Sequence, residues 1–268
     1  YGDHRDLHLS IRRQRQMCIR DSNKTAIIPF ITCGYPDVKN FIKLLISIEK
    51  SGASVIEIGM PNSDPLAEGL TIQYSSSIAI QNGINTQKCL EIVSKARDEG
   101  LSIPVVLMGY YNNVLAYDIK KFCRDAKNSG VNGLIVADLP IFEASPIIEE
   151  TEKNDISYVP LLSVNSSKEI IESVSKIATG FIYCVSVLGI TGERKITFDR
   201  VQKLVETVKK LTDIPVAVGF GVSDKSDVEN IGKFADAAII GSALINRLKN
   251  CKNDNIIKTA ESFIESLV

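Results

Sequence analysis

The chain has 268 residues, is 44% hydrophobic and carries a formal net charge of −1. That length supports one large core or two small ones, and the near-zero charge gives no electrostatic reason to expect nucleic acid or an anionic membrane as partner. No apolar run approaches the ~20 residues that a membrane span needs, and six cysteines (18, 33, 89, 123, 184, 251) without CxxC spacing read as buried thiols of a reducing compartment, so a cytoplasmic globular protein is expected.

In chain order, residues 1–22 stand apart. The segment is Arg-rich, has no helical or strand period, and its "MCIRD" matches one reading frame of a sequencing-library adapter. It is read as a non-native or disordered N-terminal segment, with a basic targeting arm or nucleic-acid tail as the alternatives. A single domain is expected over 23–268. The segment holds both histidines, so the domain has none. Ser-His-Asp and Cys-His catalysis and imidazole zinc sites are excluded from it, which leaves proton transfer to carboxylates, Lys, Tyr or Cys.

From residue 26 onward, short β-rich runs alternate with longer amphipathic stretches. The strand candidates are AIIPFITC (26–33), SVIEIGM (54–60), PVVLMGY (104–110), GLIVAD (133–138), YVPLLSV (158–164), GFIYCVSV (180–187), PVAVGF (215–220) and AAIIGSA (237–243). Each is nearly all apolar, as parallel strands covered on both faces are. The intervening stretches, such as 38–52 and 198–211, place apolar residues at i, i+3, i+4 and i+7. Gly52 supplies a helix stop. The span after the second strand is long enough for an additional short helix. Eight strand–helix units in this length predict a (β/α)₈ TIM barrel. A doubly wound open sheet is the runner-up, disfavoured because TCGYPD stands where GxGxxG would follow the first strand.

In such a barrel, chemistry collects at the C-terminal ends of the strands. Glu57 sits inside an otherwise apolar strand, an expensive place for an acid unless it is paired or functional. Glu68 follows in a Gly/Pro-bounded loop. The ordinary alternatives are a core carboxylate paired with a base for Glu57 and a solvated loop acid for Glu68. Gly-rich turns at GITGE (189–193), GFGVS (219–223) and IGSA (240–243) expose backbone N–H groups where this fold commonly binds phosphate. Taken alone, they make tight βα turns. No GxxxxGK[ST] is present.

Together, PFITCGYPD (29–37), IEIGMPNSDPLAEGLTIQ (56–73), VVLMGYYN (105–112), LIVADLP (134–140), VSVLGITGER (185–194) and GFGVS…IIGSA resemble the tryptophan synthase α-chain family. The match runs in order from about residue 26 to the C-terminus. The resemblance implies a lyase that cleaves indole-3-glycerol phosphate to indole and glyceraldehyde 3-phosphate. It implies that Glu57 protonates indole C3 and accepts the hydroxyl proton, while Glu68 takes or stabilises the indole N–H proton. Phe30, Ile72, Tyr110 and Tyr183 resemble the lining of the indole pocket, and Gly192, Gly221, Gly241 and Ser242 the phosphate cradle. Thr191 lies in the loop that closes over substrate. Asp64 and Asp138 match positions that orient the surroundings of Glu57 or contact a partner, and Asn112 faces pocket or partner. No metal and no cofactor are implied in this chain. A β subunit carrying pyridoxal phosphate is implied as partner, in an αββα tetramer.

Three positions depart from the family pattern: Glu68 where Asp is usual, Asn62 where Phe is usual, and Leu70 where Pro is usual. An extra methylene moves a carboxylate by roughly an ångström, a misplacement that can cost about 100-fold in rate. Two rival readings therefore stand beside the lyase. One is a catalytically weakened barrel that binds and stimulates the β subunit, and the other is a different phosphate-binding barrel isomerase.

Overall fold

The computed structural model describes residues 25–65, 68–185, 194–219, 221–251 and 255–268. The expected segment 1–22 and the site positions Thr191 and Gly192 lie outside the described residues. The first unit pairs β1 (Ala26–Thr32) with α1 (Val38–Lys50), capped by Asp37, whose carboxylate accepts from Asn40 N. Gly52, at φ +105°, turns the chain toward β2 (Ile56–Gly59). Two helices follow β2, α2 (Leu70–Gln81) and α3 (Thr86–Asp98), so the expected extra helix is a full-length one.

A second doubling was not signalled by the sequence. After β3 (Val105–Gly109) come α4 (Tyr111–Tyr117) and α5 (Ile119–Asn128), separated at Asp118. Asp118 takes φ +77°, a conformation that its short polar side chain tolerates, and caps α5 through Lys121 N. Next come β4 (Gly133–Val136), α6 (Ser145–Lys153), β5 (Ser157–Tyr158), β6 (Leu161–Ser163) and α7 (Lys168–Ile177). The last part comprises β7 (Ile182–Val185), α8 (Arg194–Lys209), β8 (Val216–Gly219), α9 (Lys225–Gly232), β9 (Ala237–Ile240), α10 (Ser242–Lys249) and α11 (Ile256–Glu265).

All strand pairs are parallel, in the order β5-β4-β3-β2-β1-β9-β8-β7-β6. The expected fifth strand is present as two pieces, β5 and β6, with Val159 and Pro160 between them. Proline has no N–H to give a ladder. Val159 N still donates to Leu134 O of β4 at 2.9 Å, and Pro160 O accepts from Tyr183 N of β7 at 3.1 Å. The eight-strand ring is thus completed within one strand, whose first half pairs one neighbour and whose second half pairs the other.

Alternation along the strands sorts the core into two layers. Ala26, Ile28, Val55, Val106, Ile135, Phe181 and Ile239 point into the barrel and fill it. Their neighbours in sequence, such as Ile27, Ile56, Leu107, Leu134 and Ile240, pack outward against the helices. At the end opposite the mouth, Arg97 stitches α3 to the leads into β3 and β4. Its guanidinium donates to the carbonyls of Leu101 (2.8 Å), Ile103 (2.7 Å) and Gly130 (3.0 Å) and to Asn132 Oδ1 (2.8 Å). Among the described residues, no helix is long and apolar enough to cross a membrane.

Candidate active site

Glu57 faces the barrel interior. It lies two residues after Val55 of the inner layer and is in register with Phe30 on β1 and Val106 on β3. The residue is fully buried, and neither carboxyl oxygen has a hydrogen-bond partner among the described residues. Among the described residues, Glu57 is therefore not the ordinary alternative of a core acid paired with a base. Desolvation, and then the charge of Glu68, push the Glu57 carboxyl up to about 8. A carboxyl in this state keeps its proton at neutral pH and can donate it.

Glu68 comes back toward the same space from the loop after β2. It is half-buried rather than solvated, its Oε2 is buried without a hydrogen-bond partner among the described residues, and burial pushes it up to about 7. The structure thus brings the two acids within electrostatic reach of each other. Two carboxyls of unequal affinity for a proton, facing one space, can divide donor and acceptor roles.

The predicted pocket side chains surround this space. Phe30 is buried, and its ring lies so close over Gly59 that a Cβ there would meet Cζ at 2.5 Å. Tyr183, inward on β7, sits equally close over Gly219, with the hydroxyl 2.5 Å from the Cβ position. Burial and the nearby Glu57 carboxyl hold its phenol well above the ordinary range. The glycines at 59 and 219 are thus fixed by the aromatic rings that cross them. Tyr110 and Ile72 are buried at the ends of β3 and the start of α2.

On the opposite side of the mouth, Gly221 takes φ +51°, and nothing lies within 4 Å of its Cβ position. Gly241 precedes α10, with Phe30 Cβ at 3.5 Å from its Cβ position, and Ser242 opens that helix, exposed. A glycine-bordered opening beside a helix N-terminus offers N–H groups and a positive dipole end to an anion.

The remaining predicted residues lie at the rim. Asp138 Oδ1 accepts from Tyr111 N at 2.7 Å, securing the start of α4. Exposed Asp64 is held by its own loop, with Oδ2 accepting from Ser63 Oγ at 2.8 Å and its N–H donating to Asn62 Oδ1 at 3.0 Å. These bonds run to the rim, not to Glu57. Asn112 is exposed on α4.

Three further residues were not found by sequence reasoning. Asn113 Oδ1 accepts from Tyr110 N (3.1 Å) and from Asn62 Nδ2 (3.4 Å), which ties the acid-bearing loop to the strand end that carries Tyr110. Asn62, one of the departures from the family pattern, thus has a polar partner suited to it. Thr32 and Ser75 share a buried hydroxyl–hydroxyl bond of 2.6 Å that fixes α2 to β1. Among the described residues, no group of three or more His, Cys, Asp or Glu is placed to hold a metal.

A closed parallel barrel with proton-transfer groups at the C-terminal ends of its strands places the chain in the class of (β/α)₈ barrel enzymes. The tryptophan synthase alpha chain profile matches residues 17–266, and the chain belongs to that family. It is 38% identical to the tryptophan synthase alpha chain of Thermoanaerobacter sp. over 93% of this chain and 95% of that one. It is 37% identical to the tryptophan synthase of Saccharomyces cerevisiae over 96% of this chain but spans only 36% of that longer protein. Among solved structures, a chain of the tryptophan synthase α2β2 complex from Pyrococcus furiosus superposes with a TM-score of 0.83 at 33% identity, covering 91% of this chain and 98% of that one.

Proposed function

We propose that the chain cleaves indole-3-glycerol phosphate to indole and glyceraldehyde 3-phosphate by a retro-aldol reaction, as the α subunit of a tryptophan synthase. The observation that carries this reading is the fully buried, unpartnered Glu57 carboxyl facing a second acid at the barrel mouth. Family membership supplies the substrate class.

Indole leaves as a carbon leaving group only once C3 is protonated. Glu57, protonated at neutral pH, gives its proton to C3 and takes the side-chain hydroxyl proton as the C–C bond breaks and the aldehyde forms. Its own protonation state is thereby restored. Glu68, ionised, accepts the indole N–H proton and returns it when indole is released. The ring would lie among Phe30, Ile72, Tyr110 and Tyr183, with the phosphate against the Gly221 and Gly241–Ser242 turns and against Gly192, under the loop bearing Thr191. These steps use only side chains and main-chain N–H groups of this chain. Pyridoxal phosphate is assigned to a β partner in an αββα complex, with Asp64, Asn112 and Asp138 at the rim that would face it. The cytoplasm is the compartment proposed for that complex.

The departures at Glu68 and Leu70 keep one second reading in view, a barrel that stimulates its partner without turnover. Both are resolved by incubating the chain with indole-3-glycerol phosphate, alone and with a tryptophan synthase β subunit, and measuring indole. Release that increases with the β subunit supports the lyase. Acceleration of the β reaction without any indole from saturating substrate would leave only the scaffold.

A further inference from the structure

We propose that Gln73 is a positioning residue for the reaction, fixing Glu68 in the mouth through its side-chain amide. The inference rests on the reading of Glu68 as the acceptor of the indole N–H proton. Gln73 Nε2 donates to the main-chain carbonyl of Glu68 at 2.8 Å, from the first turn of α2 back across the helix start. Gln73 is exposed, so no core packing forces this orientation, and an exposed amide has water as its ordinary partner.

Among the described residues, the segment carrying the acid has few other constraints. Gly69 caps α2 without a side-chain bond, and its carbonyl accepts from Ile72 N and Gln73 N at 3.0 Å, whereas the carbonyl of Glu68 itself is held by Gln73 Nε2. Leu70, where a proline would stiffen the turn, is 84% exposed and packs on little. On the other side, Glu68 N reaches Pro65 O only at 3.3 Å. The buried Oε2 has no hydrogen-bond partner among the described residues, so the carboxyl goes where the main chain takes it.

Gln73 connects that main chain to a firm base. Two residues further on, Ser75 is locked to Thr32 of β1, the strand adjacent to the one bearing Glu57. Thr71 Oγ1 donates to Asn246 Oδ1 on α10 at 3.2 Å. Through Gln73, the separation of the two acids is set by α2 and β1 rather than by the loop. A displacement of about 1 Å at a reacting group can cost about 100-fold.

The test is Gln73→Met, which keeps the side-chain length and removes the donor, assayed for indole release from indole-3-glycerol phosphate with the β subunit present. The expected result is a ~10- to 100-fold fall in kcat with KM within about twofold, and an acid limb of the kcat/KM profile moved to lower pH as water reaches Glu68. In a Glu68→Gln background the same change should have no further effect. Unchanged kcat in Gln73→Met, or an equal loss in both backgrounds, would overturn the inference. Full activity in Glu68→Gln alone would instead remove Glu68 from the mechanism, a separate failure. Circular dichroism and thermal unfolding of Gln73→Met should match the parent; a broad loss of structure would count against a positioning role.

Discussion

The hydroxyl of Tyr183 occupies the space that a side chain at Gly219 would fill, 2.5 Å from the Cβ position. The ring atoms Cε2 and Cζ are nearly as close, at 2.6 and 2.9 Å. The smallest substitution, Gly219→Ala, therefore has to move the whole tyrosine, and the space on its other side is the one that Glu57 faces. Overpacking of this kind costs typically 1–3 kcal/mol, so the variant should unfold at lower temperature but still fold. Indole release should fall further than stability does. In a Tyr183→Ala background, where no ring crosses position 219, Gly219→Ala should cost no further thermal stability, and activity should stay low. Calorimetry and an indole assay on the parent, the two single variants and the double variant check this.

Glu57→Gln keeps the shape of the side chain and removes the transferable proton. Because no described residue pairs with the carboxyl, the change breaks no hydrogen bond among them. Turnover should drop by at least ~10²- to 10⁴-fold, the usual scale of general acid/base catalysis, with substrate affinity near that of the parent. Single-turnover kinetics and equilibrium binding separate the two effects. Retained turnover would take Glu57 out of the proton path.

The competent form of the site has Glu57 protonated and Glu68 ionised. With Glu68 raised to about 7 and Glu57 to about 8, kcat/KM should rise as Glu68 loses its proton and fall as Glu57 loses its own. A narrow bell between these values is expected. In Glu57→Asp, if activity remains measurable, the alkaline limb should move, and in Glu68→Asp the acid limb should move. A flat profile from pH 6 to 9 would contradict the assignment.

The same burial makes stability depend on pH. The folded protein holds the Glu57 proton up to about 8, whereas an unfolded chain releases it near the ordinary value of 4.5. Between those values the folded state binds more protons, so this carboxyl's contribution to stability is complete below the lower value and is lost as pH rises toward the upper one. At ~1.4 kcal/mol per pH unit, the loss by pH 7 is about 3 kcal/mol. Glu57→Gln, which cannot ionise, should match the parent near pH 4 and exceed it at pH 7 to 8 in urea denaturation. Equal differences at both pH values would show that the carboxyl is hydrated in the folded state.

The parallel barrel was legible because strands buried on both faces show continuous apolar runs, and Glu57 stood out as the acid that such a run should not contain. Residues whose roles come from bonds made at a distance were not legible. Arg97 looks like any exposed helix arginine until the two lead-in loops are brought beneath it, and Asn113 gains its role only when α4 meets the loop of Asn62. The break between α4 and α5 was hidden because Asp118, not glycine or proline, takes the left-handed turn. The division of the fifth strand did have a signal, Pro160 inside an apolar run. Gln73 had none, since its partner is a main-chain carbonyl that any residue at position 68 would offer.

The fifth strand of the barrel behaves less like a stave than like the clasp of a bracelet. At every other joint the neighbours are laced edge to edge, but here the ladder to β4 ends at Val159 and the ladder to β7 begins at Pro160, with only the Tyr158–Thr179 bonds joining the β7 side before it. Breathing of the ring should therefore gather at this clasp, with the amides of Val159 and Tyr183 exchanging with solvent ahead of those along the β1–β2 joint, diametrically away and next to the acids. The chemistry sits where the hoop is most firmly riveted.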